Sequence, residues 1–210
     1  MRMKIFGFSF PFILALLLFW GVHPGWTTIL TFDDLPGSSV PIPASYGGLT
    51  WSDQFYQLDG SDVWLMGTGY DHGRVSDNHV AYNSHQSNVS VSSDEPFTFN
   101  GAYLTGAWND GLNIQIQGYL GASLLYDQTV VVNPTGPTWF AFNYMGIDHL
   151  TFHSFGGTKN PNIPVAGGGT HFVMDNFTFN ETTGVPEAAT LLFLGAGFLG
   201  LAGVRRKLGN

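Results

Sequence analysis

Clusters of Gly, Pro, Asn and Asp break up the chain at short intervals between residues 27 and 184, and no long helical period develops there. The runs between these clusters are short and rich in β-branched and aromatic residues, a pattern typical of a sandwich of many short strands. The stretch is long enough for one domain that buries its own core. We therefore predict a single all-β domain, a β-sandwich over residues 27–180.

One predicted strand shows a clear period of two. In residues 113–119 we expect the isoleucines and Tyr119 on one face and the glutamines and Asn113 on the other. An amide-rich face of this kind is either an ordinary solvated outer face or a surface that binds a ligand. The predicted strands are 28–32, 48–51, 79–83, 97–105, 112–120, 124–132, 138–144, 150–155 and 170–179.

The N-terminus has the three parts of a secretory signal. Arg2 and Lys4 precede an uncharged apolar run over residues 5–20, and a Gly- and Pro-containing segment follows it. This order of basic, apolar and helix-breaking regions predicts a signal peptide over residues 1–26, with an uncleaved membrane anchor as the alternative. Either alternative exports the central domain.

The C-terminus carries a second apolar run. Residues 188–204 are uncharged, which is just long enough for a transmembrane helix, and Arg205, Arg206 and Lys207 follow directly. Because positive charge beside a span favours the cytoplasmic side, residues 205–210 are predicted to be a basic cytoplasmic tail.

A short motif precedes that run. Val185, Pro186 and Glu187 lead into the Gly- and Leu-rich helix and its basic cluster, and residues 181–187 form a predicted linker and sorting motif. This arrangement resembles the PEP-CTERM sorting signal of Gram-negative bacteria that make extracellular polysaccharide, although Ala188 replaces its second proline. The resemblance implies an exosortase as partner, which would cut near the Pro-Glu pair. It also implies a precursor held transiently in the inner membrane and a product at the cell surface or in the extracellular matrix.

The composition excludes several kinds of function. Between residues 27 and 184, Arg74 and Lys159 are set against fourteen Asp and Glu residues, a formal charge of -12. This charge would repel nucleic acid. Without cysteine, the chain has no disulfide, thiolate nucleophile or Cys-ligated metal site.

Two acidic pairs lie at the ends of the central domain and suggest a cation site. Asp33 and Asp34 follow the first predicted strand, and Asp175 and Asn176 lie within the last. If these strands pair, their carboxylate and amide oxygens would suit a structural Ca²⁺ ion. The alternative is that all four are ordinary turn and strand-end residues.

The same framing elements resemble jelly-roll modules of the galactose-binding and carbohydrate-binding type. Phe-Asp-Asp at 32–34 and Asp-Asn-Phe at 175–177 match the way such modules open and close, and Tyr-Gly-Gly-Leu-Thr-Trp at 46–51 is similar to an element of related PEP-CTERM proteins. The resemblance implies a jelly-roll-like sandwich, flanked here by an N-terminal signal helix and a C-terminal hydrophobic sorting helix.

Aromatic residues among amides and carboxylates suit sugar rings, which stack on aromatic faces while their hydroxyls form hydrogen bonds. Trp108 is expected to be exposed because Asn-Asp-Gly, a turn signal, follows it. Trp64 and Tyr70 are the next candidates for ligand binding. The alternative for each is an ordinary place in the core.

Catalytic signals are weak. His149 and His153 would share a face of a strand about 13 Å apart, which is too far for one metal ion. No nucleophile elbow or phosphate-binding loop occurs, and glutamate is too scarce for an obvious hydrolytic pair. We expect an exported, non-enzymatic surface or matrix protein associated with exopolysaccharide or biofilm, with glycan binding as its candidate activity. The alternatives are a glycoside hydrolase with the same sorting signal and a purely structural surface protein.

Overall fold

The structure is a computed structural model that describes residues 27–180. The predicted signal peptide, sorting helix and basic tail lie outside these residues. Within them, one four-residue α-helix (α1, Gly69–His72) accompanies twelve strands. No helix in this part of the chain has the length and apolar character to cross a membrane. The strands are β1 Thr28–Leu30, β2 Val40–Pro41, β3 Thr50–Trp51, β4 Phe55–Asp59, β5 His79–Asn83, β6 Val89–Gly106, β7 Asn109–Asp110, β8 Leu112–Leu120, β9 Ser123–Val132, β10 Thr138–Phe155, β11 Thr158–Lys159 and β12 Phe172–Phe179.

All strand pairs are antiparallel. Ten strands form one sheet in the order β2-β4-β5-β12-β6-β10-β8-β9, with β1 added to β12 and β3 to β6, and β7 pairs with β11 in a separate two-stranded sheet. The long strands β6 and β10 pair with each other, but register shifts between Ala141 and His149 interrupt their ladder. Such irregularities bend a strand and increase its local twist. On one side of the bend these strands adjoin β12, and on the other they adjoin β3 and β8. The bent sheet therefore forms the two layers of a sandwich.

Phenylalanine rings join the two layers into one core. Phe152, in the β8-side layer, packs on Phe172 of β12 at 5.6 Å between ring centroids and on Phe55 at 5.8 Å. Phe99 stacks on Phe177 at 4.7 Å. All five rings are fully buried. Because rings from both layers meet, the predicted antiparallel β-sandwich is confirmed.

A smaller apolar cluster covers part of the outer side of the β12 layer. It includes Tyr70 of α1, Tyr82 of β5 and Trp108, whose rings make edge-on contacts at 5.5 and 5.7 Å. Residues 60–75 and 156–169 supply the loops above this cluster. The rest of that outer face is left open by the loops.

The first and last strands of the domain are neighbours, as the calcium hypothesis requires. Thr28 pairs with Phe179 and Leu30 with Phe177. β12 also pairs with β6 along its other side, and with β5 near its start. The last described strand is therefore an inner strand of its layer.

Candidate functional site

A polar groove of about 440 Å³ crosses β6, β10 and β8 on the outer face of the layer opposite β12. The strand register builds it in rows, because His149 lies opposite Tyr119 and Thr151 opposite Gln117. The next row pairs His153 with Gln115. The groove is lined by Asn88, Val89, Ser90, Gln115, Gln117, Tyr119, His149, Thr151, Phe152 and His153.

The alternation of β8 explains why amides face this groove. Ile114 and Ile116 are fully buried in the core, so the residues between them point outward. The prediction for the isoleucines and glutamines is confirmed, but the placement of Tyr119 with the isoleucines is wrong. Residue 119 is an odd number of positions from both isoleucines and lies with the glutamines, where its hydroxyl donates to Gln117 Oε1 at 2.8 Å.

A carboxylate on the edge strand β9 holds the two glutamines in place. Gln115 Nε2 donates to both oxygens of Asp127 at 2.9 and 3.1 Å, and Gln117 Nε2 donates to Oδ2 at 2.9 Å. This fixes the amide orientation. These hydrogen bonds use the amide nitrogen of Gln115 and do not involve its Oε1.

Rings lie beside these polar groups. The Tyr119 and His149 rings are 5.9 Å apart and tilted, and the His153 ring stacks on Phe155 at 5.3 Å. Asn88 Oδ1 hydrogen-bonds His153 Nδ1 and orients that ring. The prediction that His149 and His153 share a face is confirmed by their register opposite β8. Within residues 27–180 no three His, Asp or Glu side chains come close enough to hold a metal ion.

The groove combines hydroxyl, amide and imidazole groups with the ring surface of Tyr119, and no Asp or Glu is among its lining residues. Glycoside hydrolysis requires two carboxyl groups on either side of the scissile bond. The lining of this groove offers hydrogen-bonding groups and ring surface.

None of the three residues predicted to bind ligand lines this groove. The exposure predicted for Trp108 is wrong, because this side chain is only 8% exposed. The segment after β10 folds over it: Lys159 Nζ lies 6.0 Å from the ring centroid, and a Cβ on Gly167 would lie 2.2 Å from the indole.

The other two predicted ligand residues differ from each other. Tyr70 is 4% exposed, and its hydroxyl hydrogen-bonds His171 Nδ1 at 2.6 Å. Trp64, at 77% exposure, is free to meet a ligand, with Asp62 Oδ1 accepting from its backbone N–H at 3.1 Å. Its role in binding stays a prediction.

Backbone N–H groups occupy much of the hydrogen-bonding capacity of the predicted calcium residues. Asp175 is fully buried and accepts from the N–H groups of Val75, Ser76 and Asn176 at 2.7, 3.1 and 2.6 Å. Burial raises the pKa of Asp175, and these hydrogen bonds oppose the rise. The carboxylate thus anchors the loop at residues 75–76.

Asp33, in the turn after β1, anchors residues 78–79 in the same way. Its Oδ1 accepts from the N–H groups of Asn78 and His79, both at 2.9 Å. Burial acts to raise the pKa of Asp33, but the hydrogen bonds outweigh it and the pKa is lowered. Asp34 instead accepts from the Tyr46 hydroxyl at 2.6 Å. A Ca²⁺ ion at these residues stays a prediction.

Comparison with known proteins assigns the C-terminal segment. The PEP-CTERM protein-sorting motif matches residues 184–207 and confirms the predicted sorting signal. The match includes Val185, Pro186, Glu187, Arg205, Arg206 and Lys207.

The described domain has a distant structural counterpart. The solved structure of TmCBM61 in complex with beta-1,4-galactotriose is similar at a TM-score of 0.38 and 8% identity, over 65% of this chain and 90% of that chain. No curated protein matches the chain.

Proposed function

We propose that this chain is an exported surface or matrix protein, processed by an exosortase, whose β-sandwich binds a neutral glycan without cleaving it. In this proposal the precursor is held in the inner membrane by residues 188–204 and is released after cleavage near Pro186 and Glu187. The released domain then associates with exopolysaccharide or biofilm at the surface of a Gram-negative cell. The sorting motif at residues 184–207 supports the route.

The observation that carries the binding proposal is the lining of the groove. Hydroxyl and amide groups such as Thr151 and Gln117 stand beside the rings of Tyr119 and His149. Sugars need both, because their hydroxyls form hydrogen bonds and their C–H faces stack on rings. The negative charge of the domain further favours a neutral glycan over an anionic one.

An oligosaccharide array tests the proposal. The full chain is applied to neutral glycans, including beta-1,4-galactotriose, and to anionic glycans, with and without calcium. Gln117→Ala removes one amide from the groove and should weaken binding about five- to tenfold, as expected for about 1 kcal/mol per hydrogen bond. Gln128→Ala is the matched control. Gln128 is exposed on the neighbouring strand β9, and because it is the register partner of Ile116 it lies on the face of the sheet opposite the groove.

Each result of the array separates one class of function from the others. Neutral glycans that are bound by wild type and Gln128→Ala, but less well by Gln117→Ala, support the proposal. Release of reducing ends from a bound glycan would instead make the chain a glycoside hydrolase. The absence of binding to any glycan would leave a purely structural surface protein.

A further inference from the structure

A second depression of about 320 Å³ lies on the opposite outer face of the sandwich, where the loops leave the β12 layer open. Trp139 of β10 and Tyr103 of β6 are register partners there, and their rings are 5.2 Å apart. Trp139 is 39% exposed and Ile29 is 53% exposed. The depression is lined by Thr27, Ile29, Tyr103, Trp139, Asn176 and Thr178.

Gly101 makes the aromatic surface possible. A Cβ at this position would lie 2.6 Å from Trp139 Cζ2 and 2.4 Å from the carbonyl oxygen of Phe140. Because the glycine has no side chain, the indole lies directly against the β6 backbone. Trp139 and Tyr103 therefore form a broad ring surface on the sheet, which we call the Trp139 platform.

A polar rim borders the platform. Asn176 has a left-handed backbone with φ of 52°, beside the register shift between Asp175 and Thr178. Its Oδ1 is buried and has no hydrogen-bond partner among the described residues. A buried acceptor without a partner is costly, and the same side chain lines the depression, so its amide supplies polar surface at the rim.

The chemistry of the lining selects the ligand. None of the six lining residues is charged, although the domain as a whole is strongly acidic. An ionic partner would find no countercharge on the platform. Aromatic surface beside a neutral amide and threonine hydroxyls suits a pyranose ring, and the volume falls within the roughly 300–1,000 Å³ usual for small-molecule sites.

We infer that the Trp139 platform is a second binding site for a neutral sugar. The platform and the polar groove face away from the same core, because Leu104 beside Tyr103 and Ile116 beside Gln117 are both buried in it. Two glycan chains can therefore occupy one domain from opposite sides. This bridging step rests on the proposed function of the groove, while the platform stands on its own contacts.

Titration calorimetry of the full chain tests the inference with three neutral probes: beta-1,4-galactotriose, xylohexaose and cellohexaose. At least one probe should bind with two sites per chain. Trp139→Ala should remove one site and Gln117→Ala should weaken the other, while Trp139→Phe should retain two sites because it keeps a ring. Leu125→Ala, another exposed apolar residue, is the control and should retain both.

Folding and self-association are checked separately. Each variant is compared with wild type by thermal melting and by size-exclusion chromatography. The indole N–H resonance that disappears in Trp139→Phe identifies Trp139 by NMR, and it should shift when the probe is added to wild type.

The possible results distinguish failure of this inference from failure of the groove proposal. One site that depends on Gln117 alone would overturn the platform and leave the groove. One site that depends on Trp139 alone would support the platform and overturn the groove. The inference would be overturned if none of the three probes binds or if the Trp139 resonance does not move. A change of oligomeric state in Trp139→Ala would also overturn it, because the platform would then be covered by a second copy of the chain.

Discussion

Replacement of Asp175 by alanine should destabilise the domain more than any other change at the predicted cation residues. The carboxylate accepts from three backbone N–H groups and from the Ser76 hydroxyl, which lies 3.1 Å from Oδ1. Val75 is half-buried, but Ser76 is exposed, so water can replace part of this set. At about 1–3 kcal/mol for each buried group left without a partner, the expected loss is about 2–4 kcal/mol.

Thermal melting, with and without EDTA, measures this loss. A domain of this size loses about 2–4 °C of midpoint per kcal/mol, so Asp175→Ala should melt roughly 5–15 °C lower than wild type. Asp34→Ala is the control. Within residues 27–180 this exposed carboxylate accepts a hydrogen bond only from the Tyr46 hydroxyl, and its loss should cost less than about 1 kcal/mol.

Two results would refute this account of the acidic residues. The first is a loss in Asp175→Ala no larger than the loss in Asp34→Ala, which would mean that the N–H contacts contribute little. The second is a wild-type midpoint that EDTA lowers to that of Asp175→Ala. In that case a bound cation, rather than the loop N–H groups, would stabilise the carboxylates, and the calcium prediction would be supported.

Three further results are expected. Trp108→Ala removes a buried ring and should cost about 3–5 kcal/mol in a denaturation experiment while leaving array binding unchanged; normal stability with lost binding would contradict its buried position. Burial lowers the pKa of His171, so the imidazole binds a proton less readily in the folded state than in the unfolded state. The melting temperature should therefore fall as the pH drops below about 6.5, and this fall should be smaller in His171→Phe. Glu187→Ala changes the sorting motif and should leave uncut precursor in membrane fractions on immunoblots; normal release would exclude a role for Glu187 in processing.

The strands were predictable where their alternation is strong. The predicted bounds of β5 and β8 agree with the structure, whereas β4 was not predicted. Gln57 conceals the pattern of β4, because this polar residue is fully buried and its side chain donates to the carbonyls of Pro36 and Gly37 at 3.0 and 3.1 Å. Those partners lie about twenty residues away and leave no local trace in the sequence.

The turn signal after Trp108 gave a wrong prediction of exposure for a similar reason. Asn109 and Asp110 form β7 and pair with β11, so Trp108 is covered by a segment about fifty residues further along. The groove also depends on distant pairing. Its amides and its two histidines were recognisable one strand at a time, but the order β6-β10-β8 that joins them is set by the whole fold. Gly101 and Trp139 meet in the same way, across two strands.

The inner position of β12 has a mechanical consequence for the proposed precursor, which would be tethered through its C-terminus. Tension that enters at residue 180 first reaches a strand held by β6 on one side and by β1 and β5 on the other. An edge strand can separate from one neighbour at a time, but β12 must break both ladders. If the precursor is held at the membrane while its domain binds a polymer, the pulling force would therefore act on a strand that is paired on both sides.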